Sequence, residues 1–506
     1  MQGKKKFTPK LFVNFRLDEQ VPDDNFYKIL KKHLNLDFIY KETASVYSNT
    51  GRPGIDPVVF FKMLLVGYLE NIANDRALER LFQLRLDLLF FIDHDLGDAV
   101  PDHSTICKTR QRIPKHVFDK VFNHILKLCI DAGLVEGKTQ SIDSAYISAN
   151  ASLDRMERKL LVDRDPDEFM REVFDQDLPD EYSIDDKIQR IQKKQDHLIR
   201  HAKGRKAKYD KLYGTAQNKK RRTFSNATHV STTDPDARVA KKSGKPRMLC
   251  YSSAMSTDVK NNVITNISAE FSSKRDSQVL IKNTKQTMAR LQEFGLNIET
   301  ILADAGYASG ENYATLEQMN IEAFIPLHGP YETHRGDFKY DGRRDAFICP
   351  KGQIMKTAYK KSDHGRKSVA YSSSRKICNH CPIREECVNK KGIKIIMSTI
   401  YKKQYERMKK RLKSKKGQVS YALRMHTVEP VFGSLKHYYG LKHINVRGKV
   451  GADKVMLMAA SAFNLKKWVK TLLKEANNQI ESIFLELSHS IRLQRNRNLK
   501  FVFLKL

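Results

Sequence analysis

The sequence lacks apolar runs long enough to cross a membrane. Runs such as 63–66 and 86–92 fall far short of the roughly 20 residues that a spanning helix needs. The basic opening residues 1–6 lead into Phe7-Thr8-Pro9 and not into the apolar segment of a secretory signal. We therefore expect no membrane partner and no secretion, and we place the protein in the cytoplasm, among nucleoid-associated proteins if it binds DNA.

Cysteines are few, and acidic residues are scarce beside basic ones. The seven cysteines are an odd number that a cytoplasmic setting would keep reduced, so we expect no disulfide framework. Asp and Glu number 58 against 91 Lys and Arg, a formal net charge of +33. Such an excess repels itself unless a polyanion neutralises it, and contacts with phosphates release condensed counterions. The composition favours a nucleic-acid partner, with a basic solvated surface of the ribosomal type as the alternative.

The chain does contain enough apolar material for several folded units. Hydrophobic residues make up 40% and charged residues 29% of the 506 residues, as in globular proteins. This length suggests about three units. Helical apolar spacing over 22–134, as in 57–69 and 77–92, predicts an all-helical N-terminal domain at 1–135 for DNA binding or dimerisation.

One helix of this region carries a run of basic residues. Asp102 is placed to cap it, and Lys108, Arg110 and Arg112 follow. These side chains would face either phosphate or solvent.

The centre of the chain alternates between strands and a helix. Strand signals lie at 139–143, 248–256 and 263–271, a helix is predicted at 278–294, and the apolar run 300–304 follows as a buried strand. This order predicts an α/β layer. We assign 136–330 to the first part of this domain and 401–475, which includes a final helical region, to its remainder.

Three further segments do not fit this α/β pattern. Residues 155–222 are dominated by charge, so we predict a charged helical insertion there. Residues 331–400 lose periodicity and hold four cysteines, which predicts a small inserted module. The basic tail 476–506 is left as a separate segment.

Two aspartates follow predicted strands. Asp143 ends the run 139–143, and Asp304 ends the apolar run before Gly306. A carboxylate after a parallel strand opens into the crevice where α/β sheets bind ligands, although a turn-forming acid is the alternative for each. Reaction at a phosphodiester needs charge stabilisation on the attacking and leaving oxygens, which two Mg²⁺ ions about 3.5–4 Å apart supply to such carboxylate sites.

A third acid lies in the segment 421–436. If Thr427 caps a helix there, Glu429 and Pro430 fall in its first turn, where an acid and a proline are favoured. Lys436 follows Glu429 by nearly two turns, so one side chain could hold metal while the other meets phosphate. A surface ion pair is the alternative.

The segments around the three acids resemble the acidic triad blocks of DDE transposases from bacterial insertion sequences. They are Ser141-Ile142-Asp143-Ser144, Ala303-Asp304-Ala305-Gly306-Tyr307 and Val428-Glu429-Pro430-Val431-Phe432-Gly433-Ser434-Leu435-Lys436. The resemblance spans most of the chain and includes Pro101-Asp102-His103-Ser104-Thr105-Ile106 and Thr233-Asp234-Pro235-Asp236-Ala237-Arg238. Tyr421, Arg424, Glu429 and Lys436 resemble the Tyr-Arg-Glu-Lys signature of this group, with four residues between Arg424 and Glu429 where the usual pattern has three.

The resemblance implies an α/β, ribonuclease-H-like catalytic core with Asp143 on the first strand, Asp304 after the fourth and Glu429 on a later helix. These three acids would be the catalytic residues and would bind two Mg²⁺ or Mn²⁺ ions. Tyr421, Arg424 and Lys436 would bind DNA. The implied function is binding of terminal inverted repeats, DNA cleavage and strand transfer, with double-stranded DNA as the partner of a homodimer or larger assembly.

Four cysteines in the predicted module form a candidate structural zinc site. Cys349, Cys378, Cys381 and Cys387 include one Cys-x-x-Cys pair, which suits tetrahedral Zn²⁺, and simple reduced thiols are the alternative. Cys107, Cys129 and Cys250 lie among apolar residues and are expected to be core thiols.

Other functions remain open at the level of sequence. A nuclease of the same fold would cleave DNA without joining strands, and a domesticated, catalytically silent relative would only bind it. A basic zinc-ribbon regulator would leave the two strand-end acids without a role.

Overall fold

The computed structural model describes residues 15–158 and 226–475, apart from 49, 52–53, 73, 227–228, 242–243, 245, 330, 333, 364–365 and 390–391. The predicted insertion at 155–222, beyond its first four residues, and the tail 476–506 lie outside the described residues. The chain divides into two compact units, one within 1–135, 147–251 and 433–506, the other within 136–146 and 252–432. No helix in the described ranges has the length and apolar character to cross a membrane.

The N-terminal part of the first unit is built from helices. They are α1 (Leu17–Gln20), α2 (Phe26–His33), α3 (Phe38–Thr43), α4 (Pro57–Leu69), α5 (Asp75–Leu84), α6 (Leu86–Phe91), α7 (His103–Arg112) and α8 (Lys115–Asp131). Helix α4 has the bounds that its apolar spacing predicts; the Asp56 side chain accepts hydrogen bonds from the backbone of Val58 and Val59. Nearly all of its side chains are buried, so it is the central helix of this core.

The segment predicted as one helix at 77–92 is in fact two. Arg85 adopts an extended conformation between α5 and α6. Its guanidinium group forms ion pairs with Glu70 at 3.0 Å and with Asp87 at 2.6 Å. The local pair with Asp87 and the more distant pair with Glu70 favour a break that apolar periodicity does not show.

Three short strands and a last helix complete the first unit. They are β2 (Met156–Arg158), β3 (His229–Ser231), β4 (Arg238–Ala240) and α15 (449–475). Strand β2 pairs with β3, and β4 pairs with the first residues of β5 (Met248–Asp258). The Lys454 ammonium group of α15 donates to the carbonyl oxygens of Arg110 and Ile113 at 2.8 and 2.6 Å, which satisfies the carboxyl end of α7.

The second unit contains a mixed α/β layer. Its elements are β1 (Thr139–Ser148), β5, β6 (Val263–Phe271), α9 (Asp276–Gln292), β7 (Thr300–Ala303), α10 (Gly310–Gln318) and β8 (Glu322–Phe324). The strand order is β5-β1-β7-β8, with β6 also paired to β5, and the pairs β1·β7 and β7·β8 are parallel. The chain is therefore an α/β protein, as predicted.

The ends of these elements follow the sequence signals closely. Gly295 lies beyond α9 with φ +73°, a conformation that favours glycine. The Ser309 hydroxyl accepts a hydrogen bond from the Asn312 amide at 3.0 Å and so caps α10. Strand β1, in contrast, continues past Asp143 to Ser148, whereas the predicted strand ends at Asp143.

Residues 339–399 form an antiparallel sheet with its own small core. Its strands are β9 (Lys339–Asp341), β10 (Ala346–Ile348), β11 (Ile354–Asp363), β12 (Arg366–Ser372) and β13 (Ile395–Thr399), and two short helices, α11 (Arg375–Cys378) and α12 (Arg384–Cys387), precede β13. The strand order is β13-β12-β11-β10-β9. Phe347, Met355 and Tyr371 are among its buried residues.

Two helices, α13 (Lys402–Lys413) and α14 (Lys415–Tyr438), follow this sheet. The prediction that Thr427 caps a helix is wrong, because Thr427 lies inside α14 and its hydroxyl donates to the Leu423 carbonyl at 2.5 Å. Pro430 also lies within the helix and has no amide hydrogen for the His426 carbonyl. The Asn262 side chain donates a long hydrogen bond of 3.5 Å to that carbonyl instead.

Candidate active site

The register of β1 and β7 brings Asp143 and Asp304 together. The parallel pairing runs from Thr139 beside Thr300 to Ile142 beside Ala303. The next residues on the two strands are the two aspartates, so their side chains leave the sheet side by side. Both residues are partly buried.

Each aspartate is anchored by a backbone amide group. The Ser144 amide donates to Asp143 Oδ1 at 2.7 Å, and the Gly306 amide donates to Asp304 Oδ1 at 2.9 Å. These bonds orient the carboxylates and leave their remaining lone pairs for a further ligand.

A third aspartate, Asp276, joins this pair from the first turn of α9. Its Oδ1 atom accepts a hydrogen bond from the Ser144 hydroxyl. A Cβ atom on Gly306 would lie 3.1 Å from Asp276 Oδ2 and 3.0 Å from Asp304 Oδ1, so the two carboxylates flank the same glycine. Sequence patterns alone did not identify Asp276, because the predicted helix begins at 278 and the helix in the structure begins at Asp276.

The carboxylates interact strongly with one another. Burial, followed by the neighbouring negative charges of Asp304 and Asp276, raises the pKa of Asp143 to about 6, against the lowering effect of Arg424. Burial and then the Asp143 charge also raise the pKa of the Tyr307 hydroxyl. The three carboxylates thus concentrate negative charge at this site, and a bound divalent cation would reduce their mutual repulsion.

Glu429 reaches this cluster through Arg424. The Glu429 side chain is 53% exposed and lies 3.5 Å from the Arg424 guanidinium group, which is itself largely buried. The charge of Arg424 also lowers the pKa of Asp143, so this guanidinium group acts electrostatically on both acids.

The other two residues of the signature differ in their surroundings. Tyr421 is exposed on α14, within the second unit, and is accessible to a ligand. Lys436 lies in the last turn of the same helix, and the division of the chain puts it in the first unit.

The donor set at the three aspartates fits Mg²⁺ or Mn²⁺. All three side chains offer oxygen ligands, and two of the carboxylates approach the same glycine, Gly306. Among the described residues, however, ligand atoms of three side chains lie within 4.8 Å of one another only at Glu79, Asp102 and His103. The aspartates are therefore more widely spaced than the ligands of a single ion, as a site for two ions allows.

The Glu79, Asp102 and His103 group has a simpler explanation than metal binding. His103 Nδ1 lies 2.9 Å from a Glu79 oxygen, and Arg76 Nε lies 3.3 Å from His103 Nε2. Both ring nitrogens thus have protein partners, and the cluster ties α5 to α7.

The four cysteines of the antiparallel module line one cavity of about 40 Å³. Burial raises the pKa of the Cys387 thiol, and the nearby sulfurs of Cys378, Cys381 and Cys349 add to this rise while Lys394 opposes it. The structure brings the four thiols of the candidate zinc site into one neighbourhood. Their sulfur atoms, like the carboxylates, stand further apart than in the 4.8 Å group above.

One basic residue of α7 does not face a ligand. The Arg110 side chain is 5% exposed, and its two terminal nitrogens donate to Asp75 at 2.6 and 2.8 Å. Arg110 thus faces neither phosphate nor solvent, the two alternatives given for it above, because a buried bidentate ion pair uses it in the core. Lys108 and Arg112 are exposed.

This α/β unit brings aspartates of two adjacent parallel strands side by side, in a position where such sheets commonly bind ligands. Residues 15–112 match a family described as "Transposase domain (DUF772)", and residues 348–469 match one described as "Transposase DDE domain". These two matches, each over less than half of the chain, support a DDE transposase of an insertion element. A search of curated proteins gave no match.

The two matched ranges cover different parts of the candidate site. Glu429 lies within the second range, whereas Asp143, Asp276 and Asp304 lie between the two ranges. These aspartates are assigned to the candidate site from the geometry of the sheet and of α9.

Proposed function

We propose that the protein is the transposase of a bacterial insertion sequence, which binds terminal inverted repeats, cleaves DNA and transfers the strand. The observation that supports this proposal most is the pairing of Ile142 with Ala303. The next residues, Asp143 and Asp304, therefore lie next to each other where the pairing of β1 with β7 ends. Transposase domains at both ends of this region support DNA as the substrate.

Asp143, Asp304 and Glu429 would hold two Mg²⁺ or Mn²⁺ ions. When bound, these ions would supply charge stabilisation to the attacking and leaving oxygens of the phosphodiester. Water attacks the phosphodiester at an element end, and the released 3′-hydroxyl group then attacks target DNA. The two aspartates, held by backbone amides, orient the site, and Glu429 completes it when its ion pair with Arg424 gives way.

Arg424, Tyr421 and Lys436 would position the terminal phosphates. Arg424 is suited to this role because its guanidinium group pairs with Glu429 and its charge acts on Asp143. The group also carries hydrogen-bond donors in a planar arrangement that matches phosphate. A phosphate oxygen that replaced Glu429 as its partner would couple DNA binding to release of the third acid.

The topology of the second unit supports a ribonuclease-H-like core. Asp143 lies on β1, the first strand of the sheet in chain order, and Asp304 directly follows β7, which is the fourth strand when the short strand β4 beside β5 is left out. Glu429 lies on the later helix α14. This is the arrangement that the resemblance implies.

The helical N-terminal region and the charged insertion would recognise the inverted repeats, with the protein acting as a dimer or larger assembly. The formal charge of +33 supports a large phosphate contact surface. The matched transposase domain at 15–112 covers most of this helical region.

A nicking assay on DNA carrying the element's ends, with Mg²⁺, tests the catalytic proposal. Asp304→Asn removes a charge at nearly constant shape and should reduce cleavage to background. Asp337→Asn is the matched control, because Asp337 is an exposed acid of the same unit outside the cluster. Cleavage by Asp304→Asn at the parent rate would overturn the assignment.

The alternatives separate in the same assay. A nuclease of this fold would give nicked ends but no joined products, and a silent DNA-binding relative would shift the DNA without cutting it. Three carboxylates that share one neighbourhood and raise the pKa of Asp143 favour the catalytic reading.

We also propose that Cys349, Cys378, Cys381 and Cys387 bind a structural Zn²⁺. Their thiols line one cavity in a small module whose core is otherwise limited to a few side chains. Metal binding would then add stability that such a core supplies poorly.

A further inference from the structure

We propose that Asp276 is a fourth acidic ligand of the carboxylate site and binds divalent cation together with Asp143 and Asp304. This inference rests on the proposed metal-dependent function and adds a residue that lies outside the three-acid pattern. It concerns metal affinity, which is measurable without DNA cleavage.

The position of the Asp276 carboxylate is set by its contacts with neighbouring elements. One oxygen accepts from the Ser144 hydroxyl, next to Asp143 on β1. The other oxygen and Asp304 Oδ1 lie 3.1 and 3.0 Å from the point that a Cβ on Gly306 would occupy. Asp276 thus lies near both predicted metal ligands, with Ser144 between it and Asp143 and Gly306 between it and Asp304.

The lack of a side chain at Gly306 lets two carboxylates approach its backbone. Gly306 has no positive φ, so backbone conformation does not demand glycine there. A larger residue would place its Cβ 3.0 Å from Asp304 Oδ1 and 3.1 Å from Asp276 Oδ2 and would push these oxygens away.

The Tyr307 hydroxyl group provides an independent sign of a missing ligand. The residue is 1% exposed, and no described group meets hydrogen-bond geometry with its hydroxyl oxygen, although the Ser144 side chain is near. Tyr307 directly follows Gly306 in the loop after β7, and the Ser144 side chain near its hydroxyl also donates to Asp276. A buried hydroxyl without a partner costs free energy, which a cation-bound water in this pocket would offset.

Asp276 lies in the first turn of α9, as Glu311, which pairs with Lys367 at 3.5 Å, does in α10. One Asp276 oxygen accepts from Ser144 of β1, and the other lies near Gly306 in the loop after β7, beside two other carboxylates. Placing three acids together is unfavourable, and a bound cation would reduce their repulsion.

Titration of the metal-free full-length protein with Mn²⁺, followed by calorimetry or by the electron paramagnetic resonance of free Mn²⁺, tests the inference. Asp276→Asn should weaken binding at least about tenfold, the scale seen when a supporting group of a metal site is lost. Glu311→Gln, another first-turn acid of this unit, should bind as the parent does. Ser144→Ala keeps the carboxylate but frees it, and should weaken binding less than Asp276→Asn.

The outcomes separate this inference from the proposed function. If Asp304→Asn weakens Mn²⁺ binding and Asp276→Asn does not, Asp276 is not a ligand and the three-acid site stands. If the parent binds no Mn²⁺, both proposals fail. Should Asp276→Asn unfold, Asp276→Glu takes its place; it retains an acceptor for Ser144 but displaces the carboxylate, and parent affinity in that variant would overturn the inference.

Discussion

At the scale of single residues, the candidate site depends on what is absent at position 306 as much as on the acids around it. Gly306 donates its amide hydrogen to Asp304, and its lack of a side chain lets oxygens of Asp304 and Asp276 approach its backbone. A site of this kind stores electrostatic repulsion in the metal-free state, because burial and like charges raise the pKa of Asp143 to about 6. Function explains why such a cluster persists.

We predict that Gly306→Ala abolishes most of the metal-dependent cleavage while the protein stays folded. The new Cβ would lie 3.0 Å from Asp304 Oδ1 and 3.1 Å from Asp276 Oδ2, closer than ordinary contacts, and would push the carboxylates apart. Misplacement of a catalytic group by about 1 Å can cost roughly a hundredfold in rate. The nicking assay and the thermal unfolding midpoint measure the two effects.

Gly342→Ala is the control for this substitution. Its Cβ would have only one neighbour within 4 Å, a Tyr340 ring atom at 3.8 Å. Parent-like cleavage by Gly306→Ala would show that the space at this glycine has no catalytic role.

At the scale of elements, strand register and helix continuity decide which side chains meet. The parallel pairing of β1 with β7 ends one residue before each aspartate, so a shift of one residue would turn one carboxylate to the opposite face. Helix α14 continues through Pro430 and presents Arg424 and Glu429 on consecutive turns. Its continuity depends partly on Asn262, which donates to the carbonyl that Pro430 cannot serve.

For the antiparallel module, we predict about one Zn²⁺ per chain, held by thiolates. Cys381→Ser should release the metal and lower the thermal stability of the protein, because the module has a small core. Metal analysis and a colorimetric zinc-release assay with thiol-modifying reagent give the content.

Cys107→Ser tests whether the effect is specific to the module. Cys107 is a partly exposed thiol on α7, outside the four-cysteine cavity. A purified parent protein that contains no zinc after expression in zinc-supplemented medium would rule out the structural site.

At the scale of the whole molecule, the main feature is the net positive charge of the chain. The excess of 91 basic over 58 acidic residues cannot be absorbed by internal ion pairs, although some, such as Arg110 with Asp75, are buried. The net excess of 33 basic residues favours a polyanion partner, as expected for a protein that acts on DNA.

We predict a steep salt dependence of binding to duplex DNA of arbitrary sequence. Neutralisation of several phosphates should weaken affinity by about a thousandfold between roughly 50 and 200 mM salt. Fluorescence anisotropy with a labelled duplex measures the slope. An affinity that hardly changes over this range would mean that the net charge serves some other purpose.

Some features of this protein follow from its sequence alone. Local spacing and punctuation predict α4 at Pro57–Leu69, β6 at Val263–Phe271 and the cap at Ser309, because these elements depend on periodicity and on neighbouring residues. The sequence also predicts Asp143 and Asp304 as site residues and shows the resemblance to transposases, since each motif is contiguous.

Only the tertiary structure decided which of these residues come together. Asp276 is more than a hundred residues from Asp143, and its place beside Ser144 depends on the packing of α9 against the sheet. The burial of Arg110 by Asp75 and the break at Arg85 likewise follow from long-range ion pairs. Local sequence patterns determine which element forms, whereas the convergence of distant charges depends on strand register and packing, which no short segment encodes.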